Sequence, residues 1–132
     1  MKRIHQLTLV DDDEVFVFLA KKAIKQTNLV ELVKVFDNGQ EILDYLLENQ
    51  ENPEKLPEVM LLDLSMPVMD GWQFLNEFHK LSPKLPKKIN IFICSSSISP
   101  EEIEMANKMN EVSDFIIKPI NKDKMIEVIQ KV

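Results

Sequence analysis

Two apolar rhythms alternate along the chain. Short runs rich in Val, Ile, Leu and Phe lie at residues 7–10 (LTLV), 32–36 (LVKVF), 59–63 (VMLLD), 89–94 (INIFIC) and 114–118 (DFIIK), and their length and content predict strands. Between them, residues 14–27, 40–49, 72–81, 100–109 and 122–131 carry apolar positions at helical spacing. In the first of these stretches Phe16, Leu19, Ala20, Ala23 and Ile24 form one stripe, which predicts that this side of the helix is buried. VMLL and IFIC are apolar at nearly every position, as expected of central strands covered on both faces. Five strands alternating with five helices predict an α/β fold on a parallel sheet, because parallel neighbours need a crossover connection.

Local punctuation agrees with these boundaries. Ser99 before Pro100, Glu101 and Glu102 offers an N-cap, a first-turn proline and acids that suit a helix start, and Asn121 before Lys122 and Asp123 is a weaker start. The polar stretch 49–58 (NQENPEKLPE) reads as an exposed loop. Gly39 after Asn38 and Gly71 after Asp70 read as turn or helix-start residues.

Composition narrows the function classes. With 132 residues, 45% of them hydrophobic, the chain has the size of one domain with a normal core, and a single domain, 1–132, with no attached output domain is expected. Its net charge of −6, from 16 basic and 22 acidic residues, supplies no broad basic footprint, so neither nucleic acid nor an anionic membrane is an expected partner. No apolar stretch approaches the roughly 20 residues that span a bilayer, and the N-terminus is too polar for a secretory core, so a cytoplasmic location is expected. Cys94 sits within IFIC and reads as a buried core thiol.

The residues with chemistry gather at strand ends. The first strand runs into Asp11, Asp12 and Asp13, the third ends in Asp63, the fourth runs into Ser95, Ser96 and Ser97, and the fifth ends in Lys118 before Pro119. In an open parallel sheet ligands bind beyond the carboxyl ends of the strands, where strand order reverses. A doubly wound five-stranded sheet in the flavodoxin-like order 2-1-3-4-5 sets strands 1 and 3 side by side and brings Asp11 and Asp12 beside Asp63. Clustered carboxylates are costly unless a cation neutralises them, and a few hard oxygen ligands with room for water suit Mg2+ better than zinc or iron.

LVDDDE, LLDLSMPVMDGWQFL, CSSS and IIKPI, in this order, resemble the receiver domain of bacterial response regulators, the class that includes the chemotaxis regulator. The resemblance covers essentially the whole chain. It implies a two-component switch, not an enzyme acting on an outside substrate: Asp63 accepts a phosphoryl group from a sensor histidine kinase or phosphotransfer protein, and the result is read by a downstream protein that the sequence does not name. It implies Mg2+ held by Asp12, Asp63 and the main-chain carbonyl of Ser65, with Asp11 acting largely through water. It further implies Ser95 as the hydroxyl switch residue, Phe115 as the aromatic one, Lys118 as the phosphoryl-binding lysine and a cis Lys118–Pro119 bond. Two positions depart from the family pattern. Ser65 replaces a frequent asparagine, which a backbone ligand tolerates although phosphate lifetime is expected to change, and Phe115 replaces a common tyrosine and lacks its hydroxyl.

Rival chemistries fail on spacing. A calcium loop opening at Asp11 needs glycine and glutamate where Phe16 and Lys22 stand, and a dinucleotide site needs a glycine-rich first turn that the chain lacks. A phosphatase of the haloacid dehalogenase type needs a second acid at the position of Ser65. The stronger rival is a phosphorylation-independent adaptor on the receiver fold. Asp13 reads as a helix cap, and His5 and His79 as structural or exposed. Val15 and Phe18 lie off the buried stripe of the first helix and form a candidate docking surface for the phosphodonor, against the alternative that Phe18 folds onto its own domain.

Overall fold

The computed structural model describes residues 2–97 and 99–132. Its elements run β1 (Ile4–Val10), α1 (Glu14–Thr27), β2 (Val30–Phe36), α2 (Gly39–Glu48), β3 (Val59–Asp63), α3 (Gly71–Leu81), β4 (Asn90–Ser95), α4 (Pro100–Asn107), β5 (Val112–Ile117) and α5 (Lys122–Gln130). All strand pairs are parallel, in the order β2-β1-β3-β4-β5. The expected doubly wound sheet is therefore present, with α1 and β3 at their expected bounds and other element ends moved by at most three residues.

The pleat sorts the core into two layers. Leu7, Leu9, Val59, Leu61, Phe92, Cys94 and Ile116 face α1 and α5, while Val10, Met60, Leu62, Ile91 and Ile93 face α2, α3 and α4. Because β3 is buried at all five positions, it can serve both layers only with an unbroken apolar run. Cys94 is buried, as expected.

Side-chain caps start all five helices, among them Asp13, Ser99 and Asn121, which the sequence marked. Asp13 accepts from the N–H groups of Val15 and Phe16, and Asn38 and Asn121 cap α2 and α5 in the same way. Asp70 with Gln73 and Ser99 with Glu102 form reciprocal capping boxes at α3 and α4.

Two expectations change. Leu19 does not belong to the buried stripe of α1: the buried positions are Phe16, Ala20, Ala23, Ile24 and Thr27, and Leu19 is 46% exposed. Its i−4 neighbour on the helix surface is Val15, so it turns outward with that residue. The loop 49–58 is only partly exposed, since Leu56 is fully buried and the Tyr45 hydroxyl donates to the Lys55 carbonyl at 2.6 Å, pinning a 3-10 turn at Pro53–Lys55. Gly39 and Gly71 are helix-start residues, as expected, each the first residue of its helix, and neither has positive φ, so what they supply is space. A Cβ on Gly71 would stand 2.5 Å from the Asp63 carbonyl oxygen and 2.9 Å from Leu64 Cα, and one on Gly39 would stand 2.9 Å from the Met69 carbonyl oxygen.

Gly71 thus lets the start of α3 lie against the end of β3, where its N–H donates to the Leu64 carbonyl at 3.0 Å. Gly71→Ala is expected to lower the unfolding free energy by about 1–3 kcal/mol, the usual cost of overpacking, measured by urea denaturation. An unchanged midpoint would show that the two backbones separate freely.

Candidate functional site

Asp11, Asp63 and Lys118 each lie two residues beyond a side chain of the α1–α5 layer, namely Leu9, Leu61 and Ile116. The period-2 alternation of strands therefore carries all three toward the start of α1. Carboxylate oxygens of Asp11, Asp12 and Asp63 lie within 4.8 Å of one another. Asp11 is 2% exposed and Asp63 9%, whereas Asp12 is exposed at the rim. Lys118 places its Nζ 2.8 Å from Asp11 Oδ2 and 3.6 Å from Asp63 Oδ1, and the Lys118–Pro119 peptide is cis, as expected.

Backbone donors hold the acids in place. The Asp13 N–H donates to Asp11 Oδ1 at 2.9 Å and the Leu64 N–H to Asp63 Oδ1 at 2.9 Å. Burial, then the neighbouring Asp11 charge, pushes the Asp63 carboxyl above its ordinary value, and Lys118 with the N–H groups of Ser65 and Leu64 only partly offsets this. For Lys118, burial works to lower the value, but the Asp11 contact followed by the Asp11 and Asp63 charges outweighs it and holds the ammonium above its ordinary value. Burial pushes the Cys94 thiol strongly up, so it stays protonated at neutral pH.

The other expected site residues sit around this centre in different ways. Ser95 continues the alternation of Ile93 toward the α4 side, and its hydroxyl donates to the Ser97 carbonyl at 2.8 Å, not to a carboxylate. Phe115 is half-buried against the layer under α2, α3 and α4. Ser65 is exposed two residues beyond Asp63. Val15 and Phe18 are 69% and 68% exposed, so Phe18 does not fold onto the domain. With Leu19 they form an apolar arc, and Phe18 borders a cleft of about 240 Å³ that also touches Asp11, Asp12 and Lys21. His5 contacts Glu31 and His79 contacts Glu111, both at exposed sites away from the acids.

Two features were not legible in the sequence. Phe16, read there only as core, lies with its ring centroid 4.3 Å from Lys118 Nζ. Val68 has φ 67, rare for a β-branched residue, and forms a turn in which the Met69 N–H donates to the Pro67 carbonyl at 2.7 Å. The only hint of that turn was the Pro67-Val68-Met69-Asp70-Gly71 run after the acceptor strand.

This geometry coincides with that of known signalling proteins. A family model described as "Response regulator receiver domain" matches residues 7–130. The chain belongs to the response regulator receiver domain family. Chemotaxis protein CheY of Bacillus subtilis is 27% identical over 127 residues, covering 96% of both chains. A two-component response regulator from Cytophaga hutchinsonii shares the fold with a TM-score of 0.88 and 24% identity, over 98% of this chain and 97% of that one. The phosphorylated cyanobacterial phytochrome response regulator RcpA has a TM-score of 0.75 and 27% identity, over 96% of this chain and 89% of its own. Among the described residues no helix is long and apolar enough to cross a membrane.

The raised Asp63 carboxyl of this receiver has a consequence for stability. A carboxyl that holds its proton more tightly folded than unfolded makes the native state lose stability as pH rises from about 4, the ordinary value, through the raised one. Asp63→Asn removes that loss. In chelator the Asn variant is expected to be more stable than the parent at pH 7 by on the order of 1 kcal/mol, with the gap closing toward pH 4 in denaturation curves. An Asn variant less stable at pH 7 would mean that Asp63 is not in a repulsive cluster.

Proposed function

We propose that this receiver is a phosphoacceptor switch that takes a phosphoryl group onto Asp63 from the phosphohistidine of a sensor histidine kinase or phosphotransfer protein. The observation that carries the reading is the convergence of three carboxylates within 4.8 Å beside one ammonium. In the transfer an Asp63 oxygen forms the new O–P bond while the donor's N–P bond breaks and its electron pair returns to the imidazole nitrogen. Such a reaction asks for positioning and for cationic contacts to the moving oxygens more than for covalent help. Lys118 supplies one such contact and the Ser95 hydroxyl another, once it turns from Ser97.

The donor set fits a hard cation. Asp11, Asp12 and Asp63 present oxygens only, one of them at the solvent rim, and the Ser65 carbonyl completes the set. Bound Mg2+ would neutralise the carboxylates and the charge on the moving phosphoryl group. That RcpA has been crystallised phosphorylated supports the same chemistry at Asp63.

The acyl phosphate adds charge and acceptor oxygens at the end of β3, which favours Ser95 and its loop moving inward and a shift of Phe115 on the neighbouring strand. The change of surface is then read by a downstream protein. The scheme places the chain in the cytoplasm and gives nucleic acid and membrane no role. The second reading, a phosphorylation-independent adaptor, leaves the cost of the buried Asp11–Asp63 pair without a use.

Incubation with acetyl phosphate, read by intact mass, separates the two: a single phosphate adduct is expected with Mg2+, and none in chelator or in Asp63→Asn. No adduct in Mg2+ would favour the adaptor. The arc of Val15 and Phe18 is assigned to donor docking, so Phe18→Ser should slow transfer from the cognate phosphohistidine protein by about tenfold, as for an apolar anchor worth roughly 1–2 kcal/mol, while acetyl phosphate labelling stays at the parent rate. Equal loss with both donors would remove the docking role.

A further inference from the structure

We propose that Phe16 is a positioning residue for Lys118, its ring face holding the ammonium beside the acceptor carboxylate; this deepens the phosphoacceptor reading and rests on it. A lysine ammonium is a compact, strongly hydrated charge on a flexible stem, and two carboxylates alone would not hold it at one distance from each. Here Nζ sits 2.8 Å from Asp11 and 3.6 Å from Asp63, with the Phe16 ring centroid at 4.3 Å. The electron-rich ring face attracts the cation without competing as a hydrogen-bond acceptor. Phe16 is 7% exposed, so the ring also excludes water from one flank of the ammonium.

The ring's own place is fixed by the same acids. Asp11 Oδ1 accepts from the Asp13 N–H at 2.9 Å, and Asp13 Oδ1 accepts from the Phe16 N–H at 3.1 Å. Asp11 Oδ2 then meets the ammonium that Phe16 covers. The circuit Asp11, Asp13, Phe16, Lys118 and back to Asp11 closes across the ends of β1 and β5 and the first turn of α1. A side chain of equal bulk but no quadrupole would fill the core yet leave the ammonium free to settle on Asp63, the oxygen source for the transfer.

The test separates ring electronics from packing. Trifluorinated phenylalanine at position 16 keeps the ring shape and weakens its negative face, while Phe16→Leu removes the ring. In metal-free protein, NMR should find the Lys118 ε-methylene protons shielded by the ring in the parent and shifted downfield in Phe16→Leu. With acetyl phosphate and Mg2+, the trifluorinated protein should be labelled about threefold to tenfold more slowly than the parent, the range expected from one desolvated cation–ring contact. Unshielded Lys118 protons in the parent, or equal labelling rates for the parent and the trifluorinated protein, would overturn the role of Phe16. A parent that takes no label in Mg2+ overturns the phosphoacceptor reading instead, and the Lys118 shielding then decides the ring–ammonium contact on its own.

Discussion

Asp11 and Asp63 are buried side by side at the carboxyl edge of the sheet, and much of the surrounding structure answers the repulsion between them. Two like charges some 4 Å apart at an effective dielectric near 20 repel by about 4 kcal/mol before relaxation and counter-ions reduce it. Lys118 and the N–H groups of Asp13 and Leu64 supply the opposing polarity, yet Asp63 still binds its proton more tightly than an ordinary carboxyl. An arrangement of this kind stores unfavourable energy that a bound cation or a change of charge can release.

Rigidity around the acids keeps that energy from relaxing away. β3 is buried along its whole length, so its terminal Asp63 cannot swing out without unpacking both layers. On the far side Gly71 brings α3 to within a methyl group's reach of the Asp63 backbone. The turn at Val68 and the Gly39 N–H donated to the Met69 carbonyl at 2.9 Å tie the loop beyond Asp63 to the start of α2.

The two faces of the sheet divide the work. Asp11, Asp63, Lys118 and the Phe16 ring belong to the α1–α5 side, where charge is held. Ser95 and Phe115 continue the opposite alternation, toward α2, α3 and α4. The ends of β4 and β5 join the two layers, with registers that pair Ile93 with Phe115 and Ser95 with Ile117. RcpA, at 27% identity, shares this fold, and Val15, Phe18 and Leu19 on α1 stay exposed outside its packed layers in this chain.

Strand and helix order, the parallel sheet, the helix caps at Asp13 and Ser99 and the gathering of Asp11, Asp12, Asp63 and Lys118 were all legible in the sequence. Each depends on local periodicity, on a capping side chain or on the rule that strand ends share one edge, and none needs three-dimensional detail. Contacts between elements were not legible. The outward turn of Leu19 depends on the angle at which α1 lies on the sheet, and an apolar residue one step off the stripe looks the same in sequence as one on it. The need for glycine at position 71 came from the nearness of α3 to Asp63, not from a turn, and the meeting of the Phe16 ring with the Lys118 ammonium joins residues 102 positions apart. Local pattern sets which face a side chain takes; only the packing of one element on another decides what that face meets.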